Sequence, residues 1–122
     1  LSARITLRCI LVDEMGMLSE LYAHADWAFV GGGFGRSVHN TIEPAVHAIP
    51  MACGPRGVKR FPEVRLLESL GQLEVLNSRE DWVRWTGWVA SLKASERERW
   101  REAASAQKGA ATRIASLFLT KN

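Results

Sequence analysis

The residues best suited to chemistry lie in one segment, WAFVGGGFGRSVHNTIEPAVHAIPMACGP, running from Trp27 to Pro55. Gly31, Gly32, Gly33 and Gly35 fall within five positions, more than a tight connection needs. Glycine lets a chain turn sharply and lets a ligand come close to the backbone. Ser37, Val38, His39 and Asn40 follow, offering main-chain N–H groups and the side chains of Ser37 and Asn40. A loop between the end of a strand and the start of a helix is an anion site, usually for phosphate. Glu43 stands three residues after Asn40, the spacing of a capping box. A carboxylate not needed for capping would compete with phosphate at that position. Gly54, Pro55 and Arg56 close the segment as a strand-end turn. Nearby, Arg56, Lys59 and Arg60 could meet an anion, although a solvent-facing charge is the simpler account of each.

Other chemistries fit less well. The dinucleotide pattern G-x-G-x-x-G fails because Arg36 stands where its third glycine belongs, and no Gly-Lys-Ser/Thr closes a P-loop. His39 has no partnered Ser or Cys nucleophile nearby, so a hydrolase triad is unsupported. Its alternatives are a hydrogen bond to phosphate or a brace for the loop. His24 and His47 fall at helix C-termini, where the dipole accounts for them. The histidines lack metal-ligand spacing, so no metal is implied. Cys9 and Cys53 sit in apolar, strand-like runs and are expected to be buried, reduced thiols.

These residues need a scaffold that alternates strands with helices. Strands are expected over Ile5–Val12, Trp27–Val30, Met51–Cys53 and Leu73–Leu76. Helices are expected over Met17–His24, Thr41–Ala48 and Pro62–Leu70, with Gly71 stopping the last of these at its C′ position. In the first, Met17, Leu18, Leu21, Tyr22 and Ala25 line one side at helical spacing. Pro44 must sit in the first turn of its helix, where its missing N–H costs little. Ser78 with Asp81 opens a further helix, with Trp82, Trp85, Val89 and Leu92 on one face. Ser95 with Glu98 reads as a capping box for a final helix. That helix is expected to bury Trp100, Ala103, Ala104, Ile114, Leu117 and Phe118. Trp82, Trp85 and Trp100 read as core rather than as a platform for bases. The pattern is that of a Rossmann-like α/β domain, a parallel sheet flanked by helices.

The chain has 122 residues, 47% hydrophobic and 24% charged, which suits one small globular domain with one core. Its formal charge of +3 is scattered over helices rather than gathered in a tract, which argues against a nucleic-acid partner. A mild basic bias suits phosphorylated substrates or an anionic membrane surface. With no signal peptide and no apolar run of bilayer length, a reducing cytoplasm is the expected setting. The chain opens without methionine inside a running pattern, and an excised domain fragment is expected.

Several of these residues carry a resemblance. VDEMGMLSELYAHADWAFVGG resembles the D-x-x-G-x-L-x-x-x-Y-x-x-A-D-x-x-F-V-G-G of the Kdo transferases, through Asp13, Gly16, Leu18, Tyr22, Ala25, Asp26, Phe29, Val30, Gly31 and Gly32. These enzymes move 3-deoxy-D-manno-octulosonic acid (Kdo) from its CMP ester onto lipid A precursors. HNTIEPAVHAIPMACGP is similar to the family's H-N-x-x-E-P-A-x-x-x-P-x-x-x-G-P, through His39, Asn40, Glu43, Pro44, Ala45, Pro50, Gly54 and Pro55. Phe61 and Glu63 fit the N-F-x-E element that follows. The chain departs from the family at Ser37-Val38, where a glycine pair is common, at Arg60, where asparagine is usual, and at the GGGFGRS opening of the loop.

The resemblance implies the C-terminal, donor-binding half of a GT-B glycosyltransferase, incomplete because the opening βα units of that half are missing. Residues 1–122 would form one fragment of it, with a helical tail from about residue 78. It further implies CMP-Kdo as donor, with Gly31, Gly32, Gly33, Gly35, Ser37, His39 and Asn40 at its phosphate, Glu43 on the ribose hydroxyls, and Gly54, Pro55 and Arg56 flanking the base. The catalytic carboxylate belongs to the absent half, so no catalytic residue and no cofactor is assigned here, and the fragment alone is expected to be inactive. The full-length parent would work at the cytoplasmic face of the inner membrane. An exposed apolar sheet edge or face is expected where the missing parts belong, a setting for self-association. The alternatives are another GT-B enzyme using a UDP-sugar and a nucleotide-binding module without chemistry.

Overall fold

The computed structural model describes residues 9–36 and 40–119, and the side chains of residues 9–36 and 40–106. Three short parallel strands form the sheet: β1 (Ala28–Val30), β2 (Met51–Cys53) and β3 (Leu73–Val75), in the order β1-β2-β3. Ala28 faces Met51 and Met51 faces Leu73, so all three strands start level and end level. Parallel strands need a crossover connection, and two helical ones supply it here. Helix α2 (Ile42–Val46) lies between β1 and β2, and α3 (Pro62–Ser69) between β2 and β3. Helix α1 (Leu18–Ala23) precedes the sheet, while α4 (Arg79–Ala90) and α5 (Ala94–Leu119) follow it. This is the Rossmann-like arrangement that the alternation of patterns predicts.

One face of the sheet is covered by a core cluster, while on the other Ala52 is buried and Phe29 of β1 is exposed. Val30, Met51, Cys53 and Leu73 share one cluster with Val64 and Leu67 of α3 and with Ile49. Ala52 and Leu76 share the other with Trp85 of α4. Strand β2, central and buried at all three positions, therefore reads as a continuous apolar run. Trp85 and Trp100 are fully buried, as core tryptophans should be.

Local signals account for most element ends. Pro62 is the first residue of α3, and Gly71, with a φ of 71°, follows its C-cap Leu70. The Leu70 carbonyl accepts from the Trp100 indole at 2.9 Å and from Arg99 at 2.8 Å, so α5 seals the end of α3. The Ser78 hydroxyl accepts from the Asp81 amide at 3.1 Å, as an N-cap does. Buried Gln72 donates from one amide nitrogen to Ala45 O and Ile49 O, both at 3.1 Å, satisfying carbonyls at and after the end of α2.

Four expectations need correction. Residues 5–8 of the first expected strand lie outside the described residues, and Cys9–Val12 form no strand. Leu11 is 90% exposed and Cys9 is exposed, because no neighbouring strand among the described residues gives this run a ladder or a cover. The apolar side of α1 is largely uncovered: Met17, Leu18 and Leu21 are exposed, and only Tyr22 and Ala25 lean on the core. Ser95 does not cap α5. The helix already begins at Ala94, with the Glu96 amide donating to Lys93 O, which places Ser95 inside the first turn. Side chains of Ile114, Leu117 and Phe118 lie outside the described residues.

Candidate functional site

The glycine loop leaves the carboxyl end of β1, and the Gly54–Arg56 turn leaves the carboxyl end of β2, its neighbour. Because the two strands end level, the two loops meet. Gly33 and Gly54 are both buried, and their backbones touch. A Cβ on Gly33 would sit 2.6 Å from the Gly54 Cα, and one on Gly54 would sit 2.6 Å from the Gly33 carbonyl carbon. No side chain fits at either position. Gly32 has a φ of 90°, a value glycine adopts without strain. These two glycines thus have a packing reason that sequence spacing does not disclose.

Arg56 joins the loops a second way. Its amide donates to Gly33 O at 2.7 Å, and its guanidinium Nη1 donates to Gly35 O at 3.1 Å. Within the loop, the Gly35 amide donates to Gly32 O at 2.9 Å. Phe34, 59% exposed, stacks on Phe29 at a centroid distance of 6.4 Å and an interplanar angle of 10°. Phe29 in turn meets Trp82 edge-on at 5.5 Å. Phe34 had no assigned role in the sequence, because an aromatic among glycines has no periodicity to read.

Ser37, Val38 and His39 lie outside the described residues. Asn40 and Glu43 form a pair at the start of α2, both exposed. The Asn40 Oδ1 accepts from the Ile42 amide at 2.9 Å, and its Nδ2 donates to Glu43 Oε1 at 3.3 Å. This differs from a capping box, in which each side chain bonds to the other residue's backbone. Here Thr41 is the N-cap and makes no side-chain cap bond; Asn40, one residue earlier, accepts from the first helical amide, and Glu43 is held by the Asn40 amide group. Because α2 has only five residues, its dipole is a weak source of positive potential, and the loop amides matter more. Pro44, buried, takes the third position of this helix.

Tyr22 is a neighbour of the pair that periodicity alone assigns to packing. Burial, then the negative charge of Glu43, holds its phenol above the usual tyrosine range. Its ring lies 6.4 Å from that of His47, whose Nε2 is 3.2 Å from Ser19 Oγ, so α1 braces α2. His24 and His47 are the C-cap residues of α1 and α2, as their positions suggest. Among the described residues, no group of three or more His, Cys, Asp or Glu side chains is arranged to hold a metal ion. No described helix is long and apolar enough to cross a membrane.

The chain matches no protein-family model. It is 36% identical over 95 residues to the 3-deoxy-D-manno-octulosonic acid transferase of Aquifex aeolicus, a match covering 74% of this chain and 27% of that protein. Against the enzyme of that name from Haemophilus influenzae it is 41% identical over 75 residues, 59% of this chain and 17% of the relative. With the Chlamydia muridarum enzyme the identity is 48% over 48 residues, 38% of this chain and 11% of the relative. Over part of its length, the chain is a family-level match to the Kdo transferases. It spans between about a tenth and a little over a quarter of these curated relatives. The chain is thus related to the Kdo transferase enzymes, and the resemblance read from its motifs stands at that level.

Proposed function

We propose that the chain is the donor-binding part of a Kdo transferase, from the C-terminal half of a GT-B enzyme. The observation that carries this reading is the meeting of two loops at the carboxyl ends of adjacent parallel strands, the place where open α/β sheets hold ligands. The glycine loop cradles the phosphate of CMP-Kdo, with Ser37, His39 and Asn40 at its far end. Glu43 accepts hydrogen bonds from the ribose hydroxyls, and the Asn40 amide group orients its carboxylate for that task. Gly54 and Pro55 flank the base.

In the parent enzyme an acceptor hydroxyl of a lipid A precursor attacks the anomeric carbon of Kdo. The carbon–oxygen bond to the CMP phosphate breaks, and the acceptor proton goes to a carboxylate base on the other half. Donors aimed at the departing phosphate stabilise the charge it gains, which lowers the barrier. The described residues contribute that second part alone, so the chain by itself transfers no Kdo. The parent works at the cytoplasmic face of the inner membrane, where a basic chain suits an anionic surface.

Calorimetric titration of the chain with CMP and with UMP tests the assignment. Saturable CMP binding at least about tenfold tighter than UMP binding, a difference of roughly 1.4 kcal/mol, is expected. Equal binding, or a preference for UMP, would favour a different nucleotide sugar.

A further inference from the structure

Resting on the donor-loop reading above, we infer that Arg56 is a positioning residue, and that the backbone amides of Phe34 and Arg36 are the anion-facing donors it sets. A loop that binds an anion must turn its N–H groups toward the ligand and its carbonyl oxygens away from it. Arg56 takes two of those oxygens, Gly33 O through its own amide at 2.7 Å and Gly35 O through its guanidinium at 3.1 Å.

All described peptide bonds are trans, and a trans peptide is planar, with the N–H of one residue opposed to the carbonyl of the residue before it. Fixing Gly33 O on Arg56 therefore points the Phe34 N–H away from Arg56. Fixing Gly35 O does the same for the Arg36 N–H. The amide between them, Gly35 N–H, turns inward and donates to Gly32 O at 2.9 Å. Among the described residues, neither the Phe34 nor the Arg36 amide donates to another group. Two alternate amides thus face away from Arg56, the Phe34 amide set by the Arg56 main-chain N–H and the Arg36 amide by its guanidinium, both from the neighbouring strand-end turn. The Gly33–Gly54 contact brings that turn close enough for the clasp to form.

This gives Arg56 a different task from contact with the base. Lysine could reach one carbonyl as a point charge but lacks the planar fork of arginine. The test is amide NMR on the 122-residue chain and its Arg56→Ala and Arg56→Lys variants, without ligand and then with CMP or inorganic phosphate. Without ligand, Arg56→Ala keeps the main-chain bond to Gly33 O but loses the guanidinium bond to Gly35 O, so it should move the Gly35 and Arg36 resonances most, and Arg56→Lys should move them less. With CMP, the Phe34 and Arg36 amides should shift strongly and the Gly35 amide weakly. Affinity should fall about tenfold in Arg56→Ala, the scale of one charge-assisted hydrogen bond, with partial recovery in Arg56→Lys. Ligand-free loop resonances unchanged in Arg56→Ala would overturn the positioning role, whatever the ligand does. CMP shifts at Gly35 without shifts at Phe34 and Arg36 would overturn the assignment of donors. CMP shifts away from both loops would instead sink the donor-site reading, while the ligand-free spectra still decide the clasp.

Discussion

Gly33 and Gly54, twenty-one positions apart in sequence, are in backbone contact, and each excludes a side chain at the other. A Cβ on Gly54 would lie 2.6 Å from the Gly33 carbonyl carbon and 2.7 Å from the Phe34 ring. The contact locks the two loops that leave β1 and β2.

Alanine at either glycine should therefore force the loops apart. Overpacking of this kind costs about 1–3 kcal/mol, and here the clash is with backbone, which cannot rotate away. Gly87→Ala is the internal comparison. Gly87 lies inside α4 with nothing within 4 Å of its would-be Cβ, so alanine should stabilise by about 0.5–1 kcal/mol. Urea unfolding of the three variants should give midpoints below, below and above that of the parent chain. Equal midpoints for Gly33→Ala and the parent would mean the loops are not in contact.

Gln72 is buried and bonded to two carbonyls, so Gln72→Leu should remove the donor while keeping most of the volume. Ile49 O would lose its buried partner, whereas Ala45 O keeps the Ala48 amide. One unsatisfied buried carbonyl costs about 1–3 kcal/mol, which predicts a loss in thermal stability. An unchanged melting temperature would show that the amide bonds contribute nothing net.

The two cysteines should behave differently. Burial, with a smaller contribution from the charge of Glu68, pushes the Cys53 thiol up from 9.0 to about 11. Cys9 is exposed. Maleimide at pH 8 should label Cys9 rapidly and Cys53 only on unfolding. The raised value also fixes a sign. Below pH 9 the thiol is protonated in both the folded and unfolded chains. As pH rises toward 11 the unfolded thiol ionises first, so this group's contribution to stability is lost across that window. Cys53→Ala should flatten the alkaline fall in stability.

Tyr22 reports on Glu43. With the carboxylate neutralised in Glu43→Gln, one of the two causes raising the phenol disappears, and Tyr22 should titrate at lower pH. Ultraviolet absorbance at alkaline pH measures this directly, because the chain has a single tyrosine. A Tyr22 titration that ignores the substitution would place Glu43 away from the phenol.

The sheet and its connections were legible because local and long-range demands agree there. The apolar run MAC is buried on both faces as a central strand, Pro62 and Gly71 bracket α3, and Ser78 caps α4 as its spacing suggests. Sequence failed where tertiary partners decide. Cys9–Val12 has strand composition but no strand beside it among the described residues, and composition cannot supply one. Ser95 has the spacing of a cap, yet the helix starts earlier because only residues 91–93 separate it from α4. At the site, the glycines could be picked out by number, but their division of labour could not. Gly33 answers to Gly54, and Arg56 to the carbonyls of Gly33 and Gly35, across a gap in sequence that no local pattern spans.

The most direct test of the donor-site assignment is CMP titration of the chain and of its Glu43→Ala variant, followed by backbone amide resonances. Glu43 is exposed and its only side-chain partner among the described residues is Asn40, so the variant should stay folded. CMP-dependent shifts are expected in the glycine loop, at Asn40, at position 43 and at Gly54, with binding weakened about tenfold or more in Glu43→Ala. Equal CMP affinity in the two proteins, or shifts confined to other parts of the chain, would contradict the donor-site assignment.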